Sequence, residues 1–297
     1  MEEYGLTIGL GVLMGTLARI YMLRSDYRQY PGYPHGFVTH ISLGFIASAL
    51  GSVAIPAVAE KEFAAVTFLA LAAQQFRDIR NMERESLAAL EEAELVPRGH
   101  DYIEGIARVF EARNYLVIVT ALAVSSTNYF THRPLLSILA GIIFLAVSEK
   151  LMKGEVIGDI ARVDAGRLHF DGPLLKVNDV DIMNIGLPKM REKVLQDGLG
   201  IMIHPKDDNG RATLHNMGQR KAIIHVVTSI LGTKKDVDTP EFTPMTRKNV
   251  DTGAVALFCL PAEKDIESLV AAAERVPVLE SARRAPMKTK AGRIAAD

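Results

Sequence analysis

Apolar residues gather in long blocks through the first half of the chain, at residues 6–23, 37–58, 63–73, 115–130 and 135–152, with charge clusters between them. An α-helix needs roughly 20 apolar residues to cross hydrocarbon, so the pattern predicts about five membrane spans. The third block is the shortest, and reaches span length only by taking in Glu62 at one end or Gln74, Gln75 and Phe76 at the other. Past residue 153 the pattern changes to short segments between turn residues. Residues 157–163, 167–170, 174–177 and 179–183 read as strands, separated by Asp164-Ala165-Gly166, Asp171-Gly172-Pro173 and Asn178-Asp179. A helix over 189–196 leads through Gly198 into a strand over 199–204, and a further strand is predicted over 212–214. A helix over 219–231 closed by Gly232, a polar loop over 233–249, a strand over 253–260, a helix over 263–275 and a short strand over 278–281 complete the pattern. The predicted architecture is a multi-pass α-helical membrane domain followed by a cytosolic α+β domain with a β-rich start. Its divisions are residues 1–153, with a cytoplasmic helical loop over 77–113, then 154–282, then a basic disordered tail over 283–297.

Charge orients the spans, because cytoplasmic connections hold an excess of Lys and Arg. Arg24 and Arg28 lie in one connection, and Arg77, Arg80, Arg84, Arg98, Arg108 and Arg113 in another, whereas the alternate connections hold only Lys61 and Arg133. Lys150 and Lys153 follow the last block. An odd number of crossings places the N-terminus outside and the C-terminal domain in the cytoplasm. The chain begins Met1-Glu2-Glu3 and its first basic residues follow the apolar core, which favours a retained span over a cleaved signal peptide. A net charge of −1 offers no whole-chain signal for specific nucleic-acid binding, and the single Cys259 excludes an internal disulfide framework.

Polar residues within the blocks are read structurally. Arg19 and His40 lie near span mouths, where a long side chain can snorkel, and Glu149 stands beside Lys150 as an interfacial ion pair. Gly11 with Gly15, and Gly44 with Ser48, offer close helix packing. Residues 76–95 read as a helix extending the third span into water and ending before Pro97-Arg98-Gly99. After this break Ile103, Ile106, Ala107 and Phe110 share one helical face, expected to lie along the membrane, and Glu104 and Arg108 are spaced for a helix-surface ion pair.

The segment Tyr102-Ile103-Glu104-Gly105-Ile106-Ala107 spells the signature of the YIEGIA membrane-protein family of spore-forming Firmicutes, and the chain resembles that family over essentially its whole length. Val180-Asp181-Ile182-Met183-Asn184-Ile185-Gly186 and Asn216-Met217-Gly218-Gln219-Arg220 belong to the same resemblance. It implies a cell-membrane protein tied to endospore formation, with the forespore as a candidate compartment, that works with partner proteins. It implies no catalytic residue.

One chemical motif stands apart. Asp251-Thr252-Gly253-Ala254 has the form found in retropepsin-like aspartic proteases, where two aspartates share a proton and activate water. There the Thr buttresses the carboxylates and the Gly permits the tight turn. Asp251 is then the catalytic candidate, with Thr252 and Gly253 supporting it, and the chemistry requires a homodimer or a second carboxylate such as Asp181. Ile185-Gly186, the following helix and the strand at 200–203 echo the closing part of such proteases, but in the wrong order. The layout is also similar to that of a membrane-anchored aspartic protease of sporulating cells. His204, His215 and His225 lack metal-ligand spacing, and Asp207-Asp208-Asn209-Gly210 reads as a hairpin turn rather than a calcium loop, so no metal or cofactor is expected. Two functions follow: a membrane-tethered aspartic endopeptidase acting on cytosolic proteins, or a non-enzymatic platform in the bilayer that recruits and regulates protein partners.

Overall fold

The computed structural model describes residues 4–26, 34–152 and 154–294. Met1 to Glu3, Arg28, Lys153 and the last three residues of the tail lie outside the described residues, as do the side chains of Arg24, Gln75, Phe76 and Arg77. The chain divides into two compact units: Met1–Ser86 with Ile106–Lys153, and Leu87–Gly105 with Gly154–Asp297. Part of the segment expected as a loop of the membrane domain therefore groups with the C-terminal half.

The helical unit is built from α1 (Gly5–Asp26), α2 (Pro34–Ala59), α3 (Phe63–Glu91), α4 (His100–Thr131) and α5 (Pro134–Met152), of which α3 and α4 also run into the second unit. Among the described residues, three helical stretches are long and apolar enough to cross a membrane: Gly5–Leu23, Gly36–Ala59 and His100–Thr131. Phe63–Ala72 is a shorter apolar helix. The count of five predicted from the blocks is thus larger than the number of helices that meet the length and hydropathy of a span. The segment expected to lie along the membrane is instead the opening of α4, because no Pro interrupts the chain from Asp101 to Thr131. The stripe of Ile103, Ile106, Ala107 and Phe110 continues at helical spacing through Asn114, Val117, Ala121 and Val124, all buried.

The packing of α1 on α2 depends on small residues. A Cβ on Gly11 would meet Ser52 Oγ at 2.4 Å, and one on Gly15 would meet Ser48 Oγ at 2.6 Å. The buried hydroxyls are satisfied by backbone, with Ser48 donating to the Gly44 carbonyl and Ser52 to the Ser48 carbonyl, each at 2.7 Å. Gly44 makes room for the stem of Arg19, where an added Cβ would lie 2.4 Å from Arg19 Cγ. Arg19 does not snorkel. It is wholly buried, 2.8 Å from His40 Nδ1 and with its guanidinium 5.3 Å from the Phe110 ring centroid, because those two side chains give it a polar and a π-face partner inside the unit. Glu149 accepts the Tyr21 hydroxyl at 3.1 Å, so its described partner lies across the unit rather than at the neighbouring Lys150.

The second unit holds α6 (Ile157–Ile160), β1 (Ala161–Gly166), β2 (Leu168–Asp171), β3 (Leu174–Val177), β4 (Val180–Asn184), α7 (Pro188–Asp197), β5 (Leu199–Pro205), α8 (Asp208–Leu214) and α9 (Met217–Leu231). After these come β6 (Lys235–Asp236), β7 (Thr239–Pro240), β8 (Met245–Lys248), β9 (Val255–Cys259), α10 (Ile266–Glu274) and α11 (Lys290–Ile294). The main sheet has the order β1-β5-β9-β8, antiparallel throughout, and a second sheet has the order β2-β3-β4. Every residue of β9 is buried, as expected of a strand covered on both faces. Ala254, Ala256 and Phe258 pack with Leu175, Val177, Val180 and Ile182 of the small sheet, and α9 and α10 cover the opposite side.

Several expectations for this unit are corrected. Residues 157–160 are a helical turn rather than the start of a strand. The polar loop over 233–249 contains the hairpin β6–β7 and the edge strand β8. Asp207 accepts the Gly210 N–H at 2.7 Å and so caps α8; the predicted hairpin turn and the strand over 212–214 are one helix. The strand over 278–281 is absent among the described residues, and the tail carries a short 3₁₀ turn (Pro286–Lys288) and α11 in place of disorder.

Candidate functional site

Two features of the second unit carry the residues singled out above: the turn joining β8 to β9, and the packing of the signature segment on α9.

Lys248 and Val255 close the β8–β9 ladder, and the turn between them is tied by Asn249. The Asn249 N–H donates to the Ala254 carbonyl at 2.8 Å, and Gly253 donates back to the Asn249 carbonyl at 3.0 Å. The Asn249 side-chain oxygen accepts the N–H groups of Asp251 at 2.9 Å and Thr252 at 3.1 Å, an Asx turn. Thr252 Oγ1 accepts the Ala254 N–H at 3.3 Å. Gly253 has φ +76°, and a Cβ there would also strike Arg211 Cδ at 2.8 Å, so glycine is required twice over.

Asp251 and Thr252 are exposed, while Gly253 and Ala254 are buried. Among the described residues no carboxylate is hydrogen-bonded to Asp251. Asp181 pairs with Lys176 at 3.1 Å, and among the described residues no hydrogen bond joins it to Asp251. The acid nearest the turn in the hydrogen-bond network is Asp179, which accepts Asn249 Nδ2 at 2.8 Å. Cations surround the other side. Arg211 donates to the Val250 carbonyl, and His215 Nε2 lies 3.2 Å from the Gly253 carbonyl. Burial lowers the His215 pKa, the Gly253 carbonyl opposes this, and Lys248, Arg211 and Arg220 lower it further.

The signature segment is reached through a tight loop. The Glu91 carboxylate accepts the N–H groups of Arg98 and Gly99, both at 3.0 Å, and the Arg98 guanidinium at 3.2 Å. Gly99, at φ +85°, turns the chain into α4. His225 of α9 donates from Nδ1 to the Val96 carbonyl at 2.7 Å, with its Nε2 3.3 Å from Ser229 Oγ. Burial holds the His225 pKa below its ordinary 6.5, the Val96 carbonyl opposes this, and Arg98 adds to it. Tyr102 meets the His225 ring edge-on with centroids 6.2 Å apart.

The other stretches of the resemblance are engaged in the same way. At Gly218 a Cβ would fall 1.9 Å from Asp101 Oδ2, so only glycine admits that carboxylate against the first turn of α9. Gln219 is fully buried and satisfied, donating to the Pro277 carbonyl at 3.0 Å and accepting the Leu279 N–H at 2.8 Å. Leu279 in turn touches the space above Gly105, where a Cβ would meet it at 3.7 Å. Arg191 fastens the Ile185 and Gly186 carbonyls at 2.7 and 2.9 Å. Sequence reasoning named Gly218 and Gln219 without a role, read Ile185 as part of a protease-like closure and Asp179 only as a turn residue, and missed Asn249 and Arg211. Of the two missed residues only Asn249 had a local signal, an Asn two residues before Asp251. Arg211 acts through a long-range contact.

The family model described as YIEGIA protein matches residues 7–289. The uncharacterized protein YphB of Bacillus subtilis (strain 168) is similar to this chain, 45% identical over 286 residues, which is 96% of each protein. No solved structure matches.

Proposed function

This chain belongs to the YIEGIA family, and from that premise we propose that it is a membrane platform that recruits and regulates protein partners during endospore formation. Its N-terminal half holds three helices apolar enough to cross the bilayer, and an odd number of crossings with the basic connections inside puts the N-terminus outside and the α+β unit in the cytoplasm. One observation carries this reading: the signature residues Tyr102 to Gly105 and the Asp101 before them are packing members of the α+β unit, against Gly218, His225 and Leu279. Residues that define the family serve to complete the α+β unit, and the chain runs on from them into a stretch apolar enough to span a membrane. A rigid cytoplasmic surface held at the bilayer suits recruitment.

The peptidase reading is kept by a separate observation. Asp251 and Thr252 are exposed at the tip of a turn that Asn249 holds rigid, open to a second copy, with Asp179 one side chain away. A shared-proton pair would form between two Asp251 carboxylates, each chain contributing one. Quantitative proteomics of sporulating cells separates the two. Cells with Asp251→Ala, its membrane level unchanged, accumulate one or more substrate proteins if the chain is a peptidase. The platform reading expects an unchanged proteome and an unchanged set of crosslinked partners in that variant, and loss of the partners in Gly218→Leu.

A further inference from the structure

Cations converge beside the β8–β9 turn from three elements. Arg211 and His215 come from α8 and the cap after it, Arg220 from the first turns of α9, and Arg247 and Lys248 from β8. Arg211 and His215 both reach carbonyls of the turn, and Arg247 Nε donates to the Ile182 carbonyl at 3.3 Å, so three of the five are fixed by backbone oxygen rather than by carboxylate. Among the described residues none of Arg211, Arg220, Arg247 or Lys248 has an ion pair, and Arg220 Nε is shielded from solvent without a hydrogen-bond partner. The charged groups acting on His215 are all cations, and the one acting on Arg220 is Arg247. Asp251 on the turn and Asp179 on Asn249 are acids of the same region, but among the described residues neither is ion-paired to these cations, and the excess positive charge that remains is relieved by an anion. The patch is not purely polar, since Val250 at the tip of the turn is 66% exposed and Met217, two residues after His215, is 67% exposed.

We propose that this patch is a docking site for an acidic, partly apolar segment of a partner protein. The cations are spread over a strand end and two helices rather than focused on one point, which fits several carboxylates along a chain better than a single phosphate. Arg247 and Lys248 are exposed and available for charge pairing, and the half-buried Arg220 adds positive charge behind them. Val250 and Met217 are the exposed apolar side chains that apolar residues of such a segment would cover. The inference rests on the partner-recruiting reading above and gives that partner its chemistry.

The test uses the full chain in nanodiscs of zwitterionic lipid and a fluorescent glutamate-rich peptide interspersed with leucine. Peptide affinity is expected to fall at least about tenfold in the combined variant Arg220→Gln, Arg247→Gln, Lys248→Gln. In Arg167→Gln, Lys189→Gln, Arg275→Gln, which removes equal charge elsewhere in the same unit, it stays within about twofold. Equal loss in both variants, or no loss in the first, overturns the proposal. So does cluster-dependent binding of inorganic phosphate, single-stranded RNA or anionic vesicles in place of the peptide. Circular dichroism melts identical to the parent exclude misfolding as the cause of any loss. Failure to crosslink any partner in cells strikes the platform reading, whereas failure here strikes only the acidic-segment assignment.

Discussion

The two units bury opposite things. In the α+β unit, the strand Val255–Cys259 is wholly buried, and charged residues such as Arg247, Lys248 and Asp251 face outward. In the helical unit, Arg19, Ser48, Ser52, Asn114 and Ser125 are inside, while Leu6, Leu13, Leu17, Phe45, Ile46, Leu139 and Ile142 are exposed. A water-soluble protein rarely exposes so much apolar surface, and helices in lipid have no hydrophobic reason to hide it. Their association rests on small residues and internal hydrogen bonds instead. Ser125 reaches across to the Ser52 carbonyl at 2.7 Å, and Asn128 donates to Thr7 Oγ1 at 2.7 Å. The same side-chain type therefore has opposite consequences in the two units.

The largest test of that contrast is a pair of truncations. Phe258→Ala empties a fully buried site between the two sheets and is expected to destabilise the α+β unit by about 3–5 kcal/mol. Leu13→Ala, at a position 55% exposed, is expected to cost the chain close to nothing in detergent micelles. The chain carries its own reporter. Cys259 is its only cysteine, it is buried in β9, and burial pushes its thiol up to about 12, so alkylation requires the α+β unit to open. Faster alkylation of Cys259 in Phe258→Ala but not in Leu13→Ala supports the contrast; equal rates would break it.

Next in size is overpacking between α1 and α2. Gly15→Leu forces a side chain into Ser48, at a contact already closer than any Cβ tolerates, and is expected to cost about 1–3 kcal/mol. Thermal loss of helix signal should shift downward while Cys259 alkylation in the cold stays slow, because the damage is confined to the helical unit.

How far the sequence reveals these units follows from the range of the interactions. Periodicity marked residues 174–177, 199–204 and 219–231, which fold as Leu174–Val177, Leu199–Pro205 and Met217–Leu231, because each strand or helix is set by its own apolar spacing. It failed at α8, where three residues of alternation yielded to the Asp207 cap, and at the start of α4, where Pro97-Arg98-Gly99 marks a helix beginning that runs on into the apolar block. The Asp-Thr-Gly motif was visible as a string, yet its exposure depends on Asn249, and its cationic surroundings come from α8 and α9 far along the chain. Arg19 was misjudged for the same reason: its partners His40 and Phe110 lie on other helices.

An effect of similar size is expected from Gln219→Ala. The change leaves the Leu279 N–H buried without an acceptor, costing about 1–3 kcal/mol. Amide hydrogen exchange should accelerate around residues 277–279 and in the first turns of α9, with β5 and β9 protected as before. Exchange that accelerates uniformly would show that the signature packing is not a separable part of the unit.

The smallest effect is a pH slope, and it tests the same packing from the side of His225. Its folded pKa lies below the ordinary value of 6.5, first because of burial and then because of Arg98, against the Val96 carbonyl. The folded state therefore binds fewer protons than the unfolded state wherever the unfolded imidazole is charged. Stability is fully present above about pH 6.5 and declines as the pH falls through the folded value. His225→Asn preserves a donor toward Val96 and removes the titration. Cys259 alkylation measured in denaturant on either side of pH 6.5, and corrected for the intrinsic thiolate fraction, should show a shallower loss of stability on acidification in this variant. His215, lowered in the same direction and also by burial first, supplies the slope that remains. An unchanged slope in His225→Asn would mean that the loop at Val96 releases the imidazole before the unit unfolds, and would separate the signature segment from the stability of the rest of the α+β unit.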